Sequence, residues 1–179
     1  YAASGAPCLR GFNVRPGAVN DSDLAYISAE ANAKNSKSIL RRGDVVVVRT
    51  GNAGAAAVVP DWADGGNCVD LLIIRQSPSL DSRFVEVVLN SAVIRRQVEE
   101  QSVGALQAHF NTESLGDLRV PAPDMREQAQ AMAAIDGVRA EAHAMRSALG
   151  RQINLLRERR QALITAAVMD QLTIPGRSV

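Results

Sequence analysis

The 179-residue chain is poor in the side chains that most often carry chemistry: it has two cysteines, Cys8 and Cys68, and two histidines, His109 and His143. Two cysteines are too few for a disulfide-stapled scaffold and point to a reducing, cytoplasmic setting. No Cys/His cluster has the spacing of a metal site, so no metal and no cofactor is expected. No apolar run reaches the roughly 18 residues of a membrane span, and the opening residues do not read as a signal peptide, so no membrane partner is expected. Tyr1 is not an initiator methionine, which leads us to expect a processed, trimmed or excised piece. A content of 46% hydrophobic and 22% charged residues excludes a disordered or collagen-like chain.

The net charge of +1 argues by itself against a dominant nucleic-acid binder. Its distribution says more. Residues 1–60 carry seven basic and four acidic side chains, residues 61–123 five and nine, and residues 124–179 eight and six. A local basic face is therefore open to the first third of the chain. Arginine supplies 18 of the 20 basic residues, a bias that a GC-rich coding genome explains as well as any function does.

Two periodicities divide the sequence. Residues 1–123 read as a mixed domain with short β-branched runs at 45–48, 55–59 and 69–74, broken by glycine-bearing turns. From Asp81 the apolar residues Phe84, Val87, Val88, Val93, Ile94 and Val98 fall near helical spacing. They predict one helix, capped by Asp81 or Ser82 and ending near 102–104. A short helical turn at 112–116 and a strand-like 118–120 follow, and Pro121 and Pro123 close the domain.

Residues 125–171 contain no proline. Ile135, Val138, Ala142, Met145, Leu149, Leu156 and Leu163 recur at three- and four-residue steps, a heptad stripe interrupted by Gln152 and Arg159. A second seam through Leu149, Ile153, Leu156, Leu163 and Ala167 overlaps its C-terminal half. About 45 helical residues make a rod of ~70 Å, too long to bury its stripe on a domain of this size without a partner helix. The competing reading folds the segment back as two helices hinged at Gly150. The expected fold class is α+β: a β-rich globular domain over 1–123, a coiled-coil-forming helix over 124–172 and a tail over 173–179.

Signatures of catalysis are weak. The turn 49–54 (RTGNAG) follows an apolar strand but lacks the Gly-Lys-Ser/Thr ending of a phosphate loop and the three-glycine dinucleotide pattern. It reads better as a hairpin turn. His143 falls on the rod and reads as a solvated helix residue. His109 has no legible triad with either cysteine, and no pair of carboxylates stands out. A non-enzymatic role is expected. Binding has more support, because polar side chains gather at turns. Arg10, Asn13 and Arg15 lie in CLRGFNVRPG; Lys34, Lys37, Arg41 and Arg42 occupy a basic loop. Arg49, Thr50 and Asn52 occupy the glycine turn, and Gln107, His109 and Asn111 another loop. Such side chains read base edges or hold phosphates, although most charged loop residues are merely solvated.

The order LRGFNV, LRRGDVVVVRTGNAG, NCVDLLIIRQSPSLDSRFVEVVLNS, VGALQAHFNTESLGDLRVPAPDMREQ and LLRERRQALITAAVMDQL resembles a type I restriction–modification specificity subunit. The match runs from about Leu9 to Leu172 and consists of one target-recognition domain followed by the family's long helix. The resemblance implies double-stranded DNA as ligand, with a methyltransferase (modification) subunit and a restriction/translocase subunit as protein partners. It implies a subunit without chemistry of its own, which directs adenine methylation and restriction to a bipartite site. A full subunit of this kind has two such domains, whose helices pair antiparallel as a ruler. This chain corresponds either to a half-size subunit that self-associates through its helix or to one half of a two-domain parent. Family members have more sequence before the LRGFNV-like segment, so the domain is expected to begin upstream of Tyr1. On this reading Lys34, Lys37, Arg41 and Arg42 hold phosphates. Arg15, Arg49, Asn52, Gln107 and His109, with Arg10 and Asn13 beside them, read bases. The rival from another class is a coiled-coil adaptor with a protein-binding head.

Overall fold

Four consecutive valines organise the globular unit. The computed structural model describes residues 1–102 and 110–169. It contains eight strands: β1 (Ala6–Leu9), β2 (Val14–Arg15), β3 (Ala18–Val19), β4 (Ala25–Ile27), β5 (Val45–Val48), β6 (Ala56–Val58), β7 (Asn67–Cys68) and β8 (Leu71–Ile74). The helices are α1 (Ala29–Lys34), α2 (Ser82–Leu89), α3 (Ala92–Ser102), α4 (Thr112–Gly116) and α5 (Met125–Val168). Both helices and sheets are present, as the α+β expectation requires.

β5 is the central strand of an antiparallel sheet in the order β6-β5-β8. Successive side chains of a strand point to opposite faces, and here both faces are covered. Val46 and Val48 join Leu9, Val14, Leu40, Ala57 and Val59 in one core. Val45 and Val47 join Ala56, Leu89, Ile94, Val98 and Phe110 in the other. That double burial is why the segment is an unbroken apolar run rather than an alternating one. The first core is closed by the sheet β4-β1-β7, in which β1 runs antiparallel to β4 and parallel to β7, and by the two-stranded β2-β3 hairpin. The second is closed by α2 and α3.

The single helix expected from Asp81 to about residue 103 is two. Asp81 does cap α2, its Oδ1 accepting from the backbone N–H groups of Arg83 and Phe84 at 2.8 and 2.9 Å. The helix then stops at Asn90. The Asn90 side chain pairs with the backbone of Ala56, accepting from its N–H (3.1 Å) and donating to its C=O (2.8 Å). This supplies the sheet edge with a mimic of a neighbouring strand and starts a new helix beyond Ser91. The strand-like 118–120 is not a strand. The Arg119 backbone is held instead by the Gln97 amide, through N–H to Oε1 at 2.9 Å and Nε2 to C=O at 3.1 Å. Part of the supposed basic loop is also regular, since α1 covers Ala29–Lys34 and a 3-10 turn covers Ser36–Ser38.

α5 begins with a reciprocal capping box. Asp124 Oδ1 accepts from the Glu127 N–H at 2.8 Å, and Glu127 Oε2 accepts from the Asp124 N–H at 3.0 Å. The helix runs unbroken through Gly137 and Gly150 for 44 residues, roughly 65 Å, so the two-helix reading is set aside. Two compact units divide the chain, Tyr1–Met132 and Ala133–Val179. The first unit therefore takes in the first turns of α5. There the fully buried Gln128 accepts from the Asp81 N–H (2.8 Å) and donates to the Ser79 (3.0 Å) and Pro123 (2.8 Å) carbonyls. Within the second unit Val138, Met145, Leu149, Ile153, Leu156 and Leu163 are all exposed. Residues 170–172 of the expected helix and the expected tail lie outside the described residues.

Cys68 lies buried against the first core. Desolvation, with a smaller push from Cys8 and opposition from Arg75, moves its thiol from 9.0 up to about 11. The unfolded chain thus gives up this proton near pH 9 while the folded chain keeps it, so stability falls as pH rises from about 9 to about 11. Denaturation midpoints across that window should record a loss of roughly 2 kcal/mol, and Cys68→Ala should flatten the slope.

Candidate nucleic-acid interface

The polar residues singled out in the sequence collect at the two ends of β5, not at one. The strand between them, Val45–Val48, is four residues long, roughly 13 Å. At the C-terminal end lie Arg10, Arg15, Arg49, Thr50 and Asn52. At the N-terminal end lie Lys37, Arg41 and Arg42, with Lys34 on α1.

The C-terminal end is built around the glycine turn between β5 and β6. Gly51 and Gly54 have φ of 83° and 80°, and a Cβ on Gly54 would meet Val98 at 3.1 Å, so this tight turn requires glycine. The turn is therefore a hairpin connection, as its sequence suggested. Thr50 donates to the Asp70 carboxylate, and Asp70 itself has φ of 58°, a left-handed conformation that aspartate tolerates better than most residues. Asn52 Oδ1 accepts from Arg95 of α3 at 3.3 Å. Arg10 donates through Nη2 to the Asp23 carbonyl. The Nε atoms of Arg10 and Arg49 are shut away from solvent without a hydrogen-bond partner among the described residues. Arg49 and Arg95 thus stand at the turn itself, where the Asp70 carboxylate holds Thr50.

Asn13 does not belong to this surface. It is fully buried, and its amide is consumed internally: Oδ1 accepts from the Arg10 N–H (3.1 Å), and Nδ2 donates to the carbonyls of Asn20 (3.2 Å) and Ser22 (2.9 Å). A base-reading role for Asn13 is corrected to a structural one. Gln107 and His109 lie outside the described residues. Phe110, which follows them, donates its N–H to the Arg49 carbonyl at 3.1 Å.

The N-terminal end depends on a residue that sequence reading missed. Asp44 is buried to 1% exposure, and its carboxylate accepts from Arg75 Nη1 at 2.6 Å and from the Arg41 N–H at 3.1 Å. Arg75 also donates to the carbonyls of Lys37 and Ile39, both at 2.8 Å. One ion pair therefore holds the loop that presents Lys37, Arg41 and Arg42. The signal in the sequence is only a Gly-Asp step before an apolar strand and an arginine directly after the strand that pairs with it. Lys34 forms an exposed ion pair with Glu30 at 2.7 Å, and Arg42 approaches Asp61 at 3.7 Å. Exposed pairs of this kind contribute little.

Among the described residues no group of three or more His, Cys, Asp or Glu could hold a metal, and no helix is long and apolar enough to cross a membrane. A groove of about 350 Å³ between α2 and α4 is lined by apolar residues such as Phe84, Val88, Leu115 and Leu118. It offers no acid, base or nucleophile.

No protein-family model matches the sequence, and no curated protein matches it either. Solved structures do. The crystal structure of the HsdS subunit from Thermoanaerobacter tengcongensis matches over 97% of this chain and 44% of that one, with a TM-score of 0.69 and 17% identity. A structure described for complex assembly and conformational transition of the type I R-M system matches over the same shares, with a TM-score of 0.66 and 17% identity. The chain has an HsdS-like fold. At this identity the likeness is one of fold, and the chain spans less than half the length of either structure. The HsdS-like fold accounts for both units, because the match covers nearly the whole chain.

Arg75→Ala would strand the Asp44 carboxylate in the core. Removing one partner of a buried pair is strongly destabilising, and because solvent reaches Arg75 the expected cost is about 3 kcal/mol, read from the urea midpoint. Arg41→Ala, which removes an exposed side chain and keeps the backbone bond to Asp44, should change stability by less than about 0.5 kcal/mol.

Proposed function

We propose that the chain is one recognition unit of a type I restriction–modification specificity subunit, a globular DNA reader followed by a pairing helix. The observation that carries this reading is the HsdS-like fold over 97% of the chain. The arginine-rich turn at the C-terminal end of β5 supports it independently. Guanidinium and amide groups presented from a rigid hairpin are the chemistry of base readout, and the separate basic loop at the other end suits phosphate contact. The chain does no chemistry itself. Its partners are double-stranded DNA, a methyltransferase subunit that modifies adenine and a translocase subunit that restricts unmodified DNA, all in the cytoplasm.

The exposed stripe on α5, from Val138 through Leu149 and Ile153 to Leu163, pairs with a second helix in an antiparallel coiled coil, joined by Ile135, Ala142, Met145, Leu156 and Ala167. The second helix comes from another copy or from the other half of a longer chain. Either arrangement sets the distance between two half-sites, so the target is bipartite. In a two-fold dimer the two half-sites are identical and inverted.

The test is adenine methylation mapped across a plasmid after co-expression of the complete gene with a type I methyltransferase subunit from the same source. Methylation confined to one interrupted motif is expected. A palindromic motif identifies two copies of one reader, and an asymmetric motif identifies a two-reader parent. An assembled complex that methylates without sequence preference, or not at all, would contradict the proposal and favour the adaptor reading.

A further inference from the structure

The protein has few aromatic residues, with three phenylalanines among 179 positions, and two of them, Phe84 and Phe110, are buried. Phe12 is not. It is 49% exposed, on the 3-10 turn Gly11–Asn13 at the foot of the β2-β3 hairpin. Arg15 stands beside it with its guanidinium carbon 5.6 Å from the ring centroid, inside the range of a cation–π contact. Among the described residues no carboxylate lies within ion-pair distance of Arg15. Ring and guanidinium are both exposed, so both are open to a ligand.

The turn that carries them is tightly fixed. Asn13, fully buried, bonds the backbone at Arg10, Asn20 and Ser22, and the Asn20 N–H returns to the Asn13 carbonyl at 2.9 Å. Asn13 thus clamps the sequence on both sides of the hairpin, and Phe12 and Arg15, flanking it, are left outward. The same turn abuts the arginine cluster: a Cβ on Gly11 would meet Val48 at 3.3 Å and the Thr50 carbonyl at 3.7 Å. Fixing the ring and the guanidinium before a ligand arrives lowers the entropy lost on binding.

We infer that Phe12 and Arg15 form a composite guanine-reading element, with Arg15 presenting paired donors to the guanine O6 and N7 in the major groove and the Phe12 ring holding the guanidinium plane. Asn13 is a positioning residue for both. A guanidinium held beside the ring can still offer two parallel hydrogen bonds along its edge, a geometry that lysine cannot reproduce. A phosphate contact would need only the charge, so Arg15→Lys separates the two roles. This inference rests on the DNA-recognition reading above.

The experiment repeats the methylation map with Arg15→Lys and Phe12→Ala in the complete protein assembled with its methyltransferase subunit. Both positions are exposed, so both variants should fold. Arg15→Lys is expected to relax one position of the motif, a guanine in the parent, with a loss of discrimination of about 10- to 100-fold there and little change elsewhere. Phe12→Ala should relax the same position to a smaller degree. If the parent gives a defined motif that Arg15→Lys leaves intact, or if that variant lowers methylation equally at all sites, the guanine-reading role is wrong and the recognition function stands. If the parent itself gives no motif, both readings fall together.

Discussion

The burial of β5 on both faces is the constraint from which the rest of the arrangement follows. A strand covered above and below has no surface of its own to offer a ligand, so anything polar must emerge at its two ends. At one end the chain turns sharply through Gly51 and Gly54, α3 brings Arg95 to Asn52, and the turn at Gly11, next to Arg10, packs against Val48 and Thr50. At the other end Asp44 is drawn below the surface and neutralised by Arg75, which fixes the loop carrying Lys37, Arg41 and Arg42. The apolar core thus sets the separation of the two polar ends.

α5 obeys the opposite logic. Its first turns belong to the globular unit through Gln128 and Met132, both buried. A glutamine with both ends of its amide satisfied costs little to bury and fixes direction as well as position. Beyond Met132 the helix presents valine, methionine, leucine and isoleucine to solvent, at a spacing that suits another helix and not a globular surface. Alanine-rich sequence without proline explains why the segment is helical.

Much of this was legible in the sequence because the physics involved is local. The valine run, the Gly-bearing turn, the Asp81 cap and the proline-free heptads each act through neighbours a few residues away. What was not legible involved side chains replacing backbone over long separations. Asn90 mimics a strand against Ala56, Gln97 holds Arg119, and Arg75 reaches Asp44 and Lys37. Each converts an expected helix, strand or loop into something else, and no periodicity reports it. Asn13 misled for a related reason: an amide in an arginine-rich turn looks like a reader of bases until its burial shows that it reads the backbone instead. The exposure of Phe12, by contrast, could be known only once the turn around it was seen.

The central claim is that the C-terminal end of β5, with the β2-β3 hairpin, faces the DNA bases. Hydrogen–deuterium exchange of the assembled complex, with and without its recognised duplex, tests that placement directly. The account predicts new protection over residues 10–19 and 49–54 that a duplex of altered sequence fails to produce. Sequence-specific binding that leaves both segments exchanging as in the free protein would contradict it.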